Sequence, residues 1–224
     1  ESDLPVVFVD KSLGLDVDSV LTDEQAGARL SVRHLMVLGH REAGYVGYVP
    51  EAPDETIEER RESFIGTCVD MGLRCRPENV CALPCPPGRQ PPPQAWTPAL
   101  RAYLSGGGLP TAVACYNDTV AAALWKAAEG TGMRVPEDLS IIGFDNDFFE
   151  GCIERPLTTV DPRKRLIGAC AGRRLAALIE GRHPQDGRQV RVRPHLVVRS
   201  STAPPRTGRS PASQRRAVGA VSLK

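Results

Sequence analysis

The alternation of apolar and polar stretches predicts strands and helices in turn along most of the chain. Residues 4–9 form a short apolar run with three valines, which is typical of a strand buried on both faces of a parallel sheet. Apolar side chains then recur at near-helical spacing over residues 26–38, and Gly39 follows as a helix stop. A T-x-x-Q string that begins at Thr22 is typical of a capping box and marks the start of this helix.

The same pattern predicts the remaining elements. Strands are predicted over residues 45–49, 80–83, 111–116, 140–144 and 190–198, and helices over residues 55–71, 96–104, 117–128 and 161–180. Pro162 suits the first position of the last helix, while Gly72 and Gly181 end two of the helices. The proline-rich stretch 84–93 predicts a loop, because proline is unsuited to the interior of a sheet. Strand and helix therefore alternate, and the fold class is α/β with a mainly parallel sheet.

Length and charge narrow the class of protein. A chain of 224 residues fits one domain or two small lobes. No apolar run reaches the roughly 18 residues of a membrane span, and no signal peptide is visible at the start, so we expect a cytoplasmic protein. Residues 203–224 hold five basic side chains and no acid, which predicts a disordered basic tail or, as the alternative, a nucleic-acid-binding arm. Residues 1–202 are net negative and offer no broad face for nucleic acid.

Catalytic and metal-binding patterns are missing from the sequence. The seven cysteines form no C-x-x-C pair, so free thiols in a reducing compartment are expected and a zinc site is disfavoured. His40 follows a helix-ending glycine, where a structural role is expected and not that of a catalytic base. Residues 106–108 are glycines, but no Lys-Ser/Thr follows them as in a phosphate loop. We expect no enzyme activity, no metal and no cofactor.

An ordered set of short strings runs through residues 4–202. The strings are L-P-V-V-F-V-D at 4–10, D-E-Q-A-G-A at 23–28, H-L at 34–35, L-G-H-R at 38–41, R-R-E-S-F at 60–64, G-L at 72–73, P-T-A-V at 110–113, N-D at 117–118, V-P-E-D-L-S-I-I-G-F-D at 135–145, P-L-T-T-V at 156–160 and L-V-V-R-S-S-T at 196–202. Together they resemble the effector-sensing region of the LacI/GalR family of bacterial transcription regulators. That resemblance implies a parallel-sheet, periplasmic-binding-protein-like sensor with one lobe near complete and the other partial.

The resemblance also implies how the lobes are divided along the chain. Residues 1–22 and 158–186 would belong to a partial N-terminal lobe, residues 23–157 to the C-terminal effector-binding lobe, residues 187–202 to the final strand segment of that lobe, and residues 203–224 to the tail. Family members carry further sensor residues and a helix-turn-helix headpiece ahead of the first strand, so the chain resembles an N-terminally truncated member. We therefore expect residues 1–224 alone to bind sugars poorly and to bind DNA weakly and without sequence preference. We also expect apolar surface to be exposed on the helix at 161–180, whose side chains should be more exposed than Ile141, Ile142 and Val113; the side chains concerned are Leu166, Ile167, Leu175 and Leu178.

Three effector contacts follow from the resemblance, namely Arg60, Asn117 and Asp145. A carboxylate accepts from adjacent hydroxyls, a guanidinium donates a planar fork and an amide does both, which suits a sugar or another polyol. Asn117 and Asp145 follow strands, where open α/β sheets bind ligands, and we expect all three to converge on one face of the larger lobe. The residues also allow other roles: Asn117 as a helix cap, Asp145 as a turn residue, and Arg60 as a solvated side chain in competition with Arg61.

The implied function is that of a ligand-responsive transcriptional regulator, a repressor that senses a sugar or a similar small polar effector. A homodimer is implied, with operator DNA contacted only through a headpiece that lies outside this chain. Effector binding would close the lobes and shift the population between two states. The alternative is a periplasmic-type sugar-binding transport protein. One departure from the family pattern is Ser63, which stands where glycine is usual and is expected to narrow the site.

Overall fold

The structure is a computed structural model that describes residues 4–10, 18–50, 54–85, 91–147, 156–182 and 188–206. Strands and helices alternate over these residues. The strands are β1 (Val7–Val9), β2 (Asp18–Thr22), β3 (Gly44–Pro50), β4 (Val80–Cys85), β5 (Ala112–Cys115), β6 (Ser140–Phe144), β7 (Thr158–Asp161), β8 (Gln189–Val192) and β9 (His195–Val197). The helices are α1 (Glu24–Val37), α2 (Glu55–Met71), α3 (Thr97–Ser105), α4 (Asp118–Glu129) and α5 (Lys164–Ile179). No described helix is long and apolar enough to cross a membrane.

Two sheets organise the described strands. The larger sheet has the order β4-β3-β5-β6-β7-β9, and all of its pairs are parallel except β7 with β9. The smaller sheet has the order β1-β2-β8 and is parallel throughout. The expected α/β class with mainly parallel pairing is confirmed.

The core of the larger lobe lies on both faces of the six-stranded sheet. Successive strand residues point to opposite faces, so Ile141 packs in one cluster and Ile142 in the other. The Ile141 side is covered by α3 and α4, with Trp96 and Trp125 fully buried between them and the sheet. The Ile142 side is covered by α1 and α2, where Phe64 packs. Helices on both faces explain why these strands read as continuous apolar runs.

The smaller lobe has a much smaller core. Helix α5 packs against β1 and β2, and its buried cluster holds only four residues: Val20, Ile167, Ala171 and Val192. The expected exposure of α5 is confirmed for Leu166, Leu175 and Leu178, which are half-buried. It is wrong for Ile167, which is 2% exposed because it packs on the strand residues of this cluster.

Two helix starts differ from the sequence-based expectation. The N-cap of α1 is Asp23, whose side chain accepts from the amide of Ala26, so the predicted cap at Thr22 is wrong. The Thr22 hydroxyl instead donates to Asp10 Oδ1 at 2.7 Å, which ties β2 to the end of β1. Helix α5 begins at Lys164, so the prediction of Pro162 at its first position is also wrong. By contrast, α2 has its predicted bounds and ends at Gly72 with a φ of 76°, a conformation that favours glycine.

Two predictions, one about a strand and one about a loop, need correction. The strand expected over residues 190–198 is two strands, β8 and β9, which belong to different sheets and are separated at Pro194, a residue without an amide donor. The loop expected from Pro84 begins later, because Pro84 and Cys85 extend β4. Since β4 is an edge strand, the missing amide of Pro84 interrupts no central pairing. Residues 86–90 of that predicted loop lie outside the described residues.

The first residues of the predicted tail are ordered. The amide of Ala203 donates to Ser140 Oγ at 3.0 Å, and its carbonyl accepts from His40 Nε2 at 3.0 Å. Arg206 forms an ion pair with Asp138. The prediction of disorder is therefore wrong for residues 203–206, and residues 207–224 lie outside the described part of the chain.

Candidate functional site

The three predicted contact residues meet at the carboxyl ends of β5 and β6. Asn117 follows β5, Asp145 follows β6, and Arg60 lies on α2, which packs over the same end of the sheet. Arg60 Nη1 donates to the carbonyl of Tyr116 at 2.9 Å and lies 3.8 Å from Asp145 Oδ1. The structure thus brings the three residues together, at the edge where parallel sheets bind their ligands.

The guanidinium of Arg60 is buried and bound by a carboxylate that the sequence analysis missed. Its Nε and Nη2 each donate to Glu24 at 2.8 Å, in a bidentate pair in which both side chains are under 10% exposed. The group also lies over the ring of Phe144, 3.7 Å from the centroid, and near that of Tyr116. Burial lowers the pKa of Arg60, but Glu24 outweighs it and raises the pKa. The alternative of a solvated Arg60 is wrong, because its side chain is 7% exposed.

Burial also raises the pKa of Glu24, and Arg60 opposes that shift through its charge and its hydrogen bonds. Glu24 and Arg60 compensate each other's charge, since either one alone would be an isolated buried charge. One orienting signal was present in the sequence: Glu24 lies in the D-E-Q-A-G-A string, within the first turn of α1. Its partner lies 36 positions away, however, so the pairing is a product of the tertiary fold.

Asp145 begins a turn with an unusual backbone. Asp145 and Asn146 have φ values of 102° and 51°, both in the region that non-glycine residues rarely adopt. The side chain of Asn146 donates to Asp161 at 3.0 Å and accepts from Arg199 at 2.7 Å. Burial raises the pKa of Asp145, and the charge of Arg60 acts against the shift. The alternative role of Asp145 as a turn residue is confirmed, and the same turn places its carboxylate 3.8 Å from Arg60.

Asn117 caps α4, which confirms that alternative. Its Oδ1 accepts from the amide of Val120 at 2.9 Å. The side chain also hydrogen-bonds with Tyr48, a bond that lowers the pKa of Tyr48 against a larger increase from burial. The cap uses one lone pair of the amide oxygen, and the amide group has further hydrogen-bonding capacity.

Cavities adjoin the site formed by Glu24, Arg60, Asn117 and Asp145. A small one of about 20 Å³ is lined by Arg60, Glu24, Ser31 and Tyr45 among others. An open one of about 420 Å³ lies beside Asp145 and is lined by Asn146, Asp161, Arg163, Lys164, Arg165, Leu166 and His195. The second is large enough for a small polar ligand. Among the described residues no three His, Cys, Asp or Glu side chains are placed to hold a metal ion, and the six described cysteines are free thiols.

The family model described as the periplasmic binding protein-like domain matches residues 32–202. The chain belongs to this family. Among curated members of related sequence, the HTH-type transcriptional repressor PurR of Aliivibrio salmonicida is 30% identical over 206 residues, covering 89% of this chain and 58% of the relative. The arabinose metabolism transcriptional repressor of Geobacillus stearothermophilus is also 30% identical, covering 89% of this chain and 54% of the relative. The chain therefore spans less than two thirds of these relatives.

Solved structures of the periplasmic-binding-protein-like family agree with this assignment. A LacI family transcriptional regulator from Mycobacterium smegmatis has a TM-score of 0.75 at 29% identity, covering 90% of this chain and 72% of that one. A LacI family regulator from Enterococcus faecium with bound ribose has a TM-score of 0.71 at 29% identity, with the same coverage of each chain. The resemblance to LacI/GalR effector-sensing regions is confirmed.

Proposed function

We propose that this chain is the effector-sensing part of a ligand-responsive transcriptional repressor, and that its effector is a neutral polyhydroxylated molecule such as a sugar. The observation that carries the proposal is the cluster at the ends of β5 and β6. There Asp145 lies 3.8 Å from an arginine whose charge is already matched by Glu24, and Asn117 follows the Tyr116 carbonyl to which the same arginine donates. Curated relatives named as repressors, and a structural neighbour with bound ribose, support the proposal.

The charge balance of the cluster argues for hydroxyl groups as the ligand's contacts. Arg60 is the cation at the centre, and it faces two carboxylates, Glu24 at 2.8 Å and Asp145 at 3.8 Å. An anionic ligand at Arg60 would have to compete with these two carboxylates for a single cation. Hydroxyl groups, in contrast, donate to a carboxylate and accept from an amide without adding charge. Arg60, Asn117 and Asp145 remain our proposed ligand contacts.

The two lobes offer a route from ligand binding to regulation. The chain passes between the sheets after Thr22, after Asp161 and near Pro194, so a rigid-body rotation about these three segments changes the angle between the lobes. Lys164 of α5 and Asp147 of the larger lobe form an ion pair of 2.5 Å beside the open cavity. A ligand that contacts both sides would favour the closed state by its differential affinity. In a homodimer this closure would alter how DNA-binding headpieces are presented to an operator.

The test is ligand binding by the complete gene product that contains these residues. Thermal shift and calorimetry would compare neutral sugars, including arabinose, ribose and cellobiose, with their phosphorylated or carboxylated analogues. Asp145→Asn is expected to weaken binding of a neutral sugar by about tenfold to a hundredfold, since a charge-assisted hydrogen bond is lost. The matched control is Asp70→Asn on the exposed end of α2, which should leave affinity unchanged. A preference for anionic ligands, or an Asp145→Asn variant of unchanged affinity, would contradict the proposal.

A second experiment separates the repressor from the sugar-transport alternative. The complete gene product would be incubated with fragmented genomic DNA from its host, and retained fragments would be sequenced with and without the bound sugar. A repressor retains discrete sites in a sugar-dependent way, whereas a transport protein binds the sugar and enriches no site.

A further inference from the structure

Asp118 is a buried carboxylate whose position in the N-D pair suggests a helix cap, yet it does not cap its helix. Asn117 performs that task, and Asp118 is 1% exposed. Its Oδ1 accepts from the hydroxyl of Thr159 at 2.6 Å, and its Oδ2 accepts from the backbone amide of Asp147 at 2.8 Å. One side chain at the start of α4 therefore binds both β7 and the turn that follows β6.

The turn that Asp118 holds is the one that carries Asp145. Two consecutive non-glycine residues, Asp145 and Asn146, have positive φ, and such backbone persists only where surrounding contacts enforce it. The amide of Asp145 donates to the carbonyl of Val160 at 2.8 Å, and the amide of Asp147 donates to Asp118. Hydrogen bonds thus hold the strained pair at both ends, and Asp118 accepts the second of them.

The carboxylate of Asp118 packs closely against Gly143 of β6. A Cβ added at Gly143 would lie 2.0 Å from Asp118 Oδ1 and 2.8 Å from Leu157 Cδ2. Glycine in β6 is therefore what allows the carboxylate to lie against the strand and reach the turn beyond it. Three of the short strings in the sequence, N-D at 117–118, G-F-D at 143–145 and P-L-T-T-V at 156–160, meet at this one group.

We propose that Asp118 is a positioning residue, which holds the 145–147 turn so that the Asp145 carboxylate faces the effector. This inference rests on the proposed function, in which Asp145 contacts the ligand. Asp118 itself is 1% exposed, so it would act through the turn and not by contact with the effector. Its role is distinct from that of Arg60, which contacts Asp145 from the α2 side.

The protonation of Asp118 gives the inference a measurable signature. Burial raises the pKa of Asp118 to about 7, against the hydrogen bonds from Thr159 and Asp147. The charged and titratable groups that face it are the carboxylates of Asp145 and Asp147 on the turn, Lys164 on α5 and Cys115 on β5. An ionised carboxylate accepts both bonds. A protonated one keeps both contacts only if the Thr159 hydroxyl reverses to accept, and its bond to the amide of Asp147 then loses the assistance of the charge. The hydrogen bonding by which Asp118 holds the 145–147 turn should therefore weaken as the pH falls from 8 to 6.

Hydrogen exchange tests the inference without an identified ligand. In the complete gene product, we expect Asp118→Asn to speed exchange in the segment around residues 145–147 by about tenfold or more, since a bond to a charged group is lost. After correction for intrinsic rates, exchange there should quicken below pH 7 in the wild type and lose that pH dependence in the variant. Asp70→Asn is the control. If Asp118→Asn does not fold, Thr159→Val removes one donor, and its faster exchange should be reversed in Thr159→Ser.

Affinity for the sugar of the panel with the largest thermal shift supplies the second measurement. Asp118→Asn should weaken it about tenfold at pH 8 and abolish the decline toward pH 6. Unchanged exchange at the turn, faster exchange across the whole protein, or a decline toward pH 6 that persists in Asp118→Asn would each overturn the inference. The last result would assign the titration to Asp145. If no sugar of the panel binds, the proposed function fails, and the exchange experiment still decides whether Asp118 holds the turn.

Discussion

Replacing Glu24 with leucine should leave the Arg60 guanidinium as an uncompensated charge inside the protein. The two side chains are 3% and 7% exposed, so water cannot take over the two hydrogen bonds of 2.8 Å. Removing one partner of such a pair costs about 3–5 kcal/mol. We expect the lower end of that range, because Asp145 lies 3.8 Å from the same guanidinium and retains part of the attraction.

The double variant Glu24→Leu/Arg60→Met separates the pair from its parts. With both charges gone, the desolvation cost also disappears, so the double variant should be more stable than Glu24→Leu alone. Stability is measured by urea unfolding with two spectroscopic probes, whose coincidence checks for a two-state transition. The control is Lys126→Gln in the exposed Lys126–Glu129 pair, expected to cost less than about 0.5 kcal/mol. A cost below about 1 kcal/mol for Glu24→Leu, or a double variant that costs the sum of the singles, would refute the reasoning.

Further variants test single features of the fold. Gly143→Ala should destabilise the protein by about 2 kcal/mol or more, because the new Cβ would overlap a buried carboxylate. Gly66→Ala, on a helix with open space around it, should instead stabilise the protein by about 0.5–1 kcal/mol. Chemical denaturation of both variants measures the two changes. Tyr45→Phe removes a buried hydroxyl without a hydrogen-bond partner and should be neutral or stabilising in thermal unfolding, while Tyr103→Phe loses a bond of 3.1 Å and should cost about 1 kcal/mol. The pKa of Asp118 is about 7 in the folded protein and about 3.8 in the unfolded chain. Between these two values the native state holds a proton that unfolding releases. The free energy of unfolding should therefore fall, by up to about 4 kcal/mol, as the pH rises from 4 through 7. Asp118→Asn should flatten that profile, and equal slopes in both proteins would contradict the assignment.

The elements that could be predicted from the sequence are those with strong local signals. Helix α2 has its predicted bounds because it is long and ends at a glycine, and β6 does so because five apolar or small residues follow a turn. Strands β2 and β7 were missed. They have five and four residues, and Ser, Thr and Asp make up much of both, so neither shows the apolar run or the alternation that marks a strand.

The candidate site could be predicted only in part. Arg60, Asn117 and Asp145 came from the resemblance, and the structure brings them together. Glu24 and Asp118 were missed as members of the cluster, because their contacts join residues about 30 to 40 positions apart and leave no periodic trace in the sequence. Their strings were visible, but a string does not state which distant group its carboxylate meets.

The order of strands in the smaller sheet has a consequence for how the chain folds. Strand β2 is central there, and it pairs on one side with β1 nearby in the chain and on the other with β8, so that residue 19 adjoins residue 189. Pairings of such high sequence separation form slowly, because the chain entropy of closing the loop is lost before the contact is gained. During synthesis on the ribosome, one edge of β2 stays unpaired until almost the whole larger lobe has emerged. That interval exposes a strand edge to other chains, so slower folding of the larger lobe should increase aggregation.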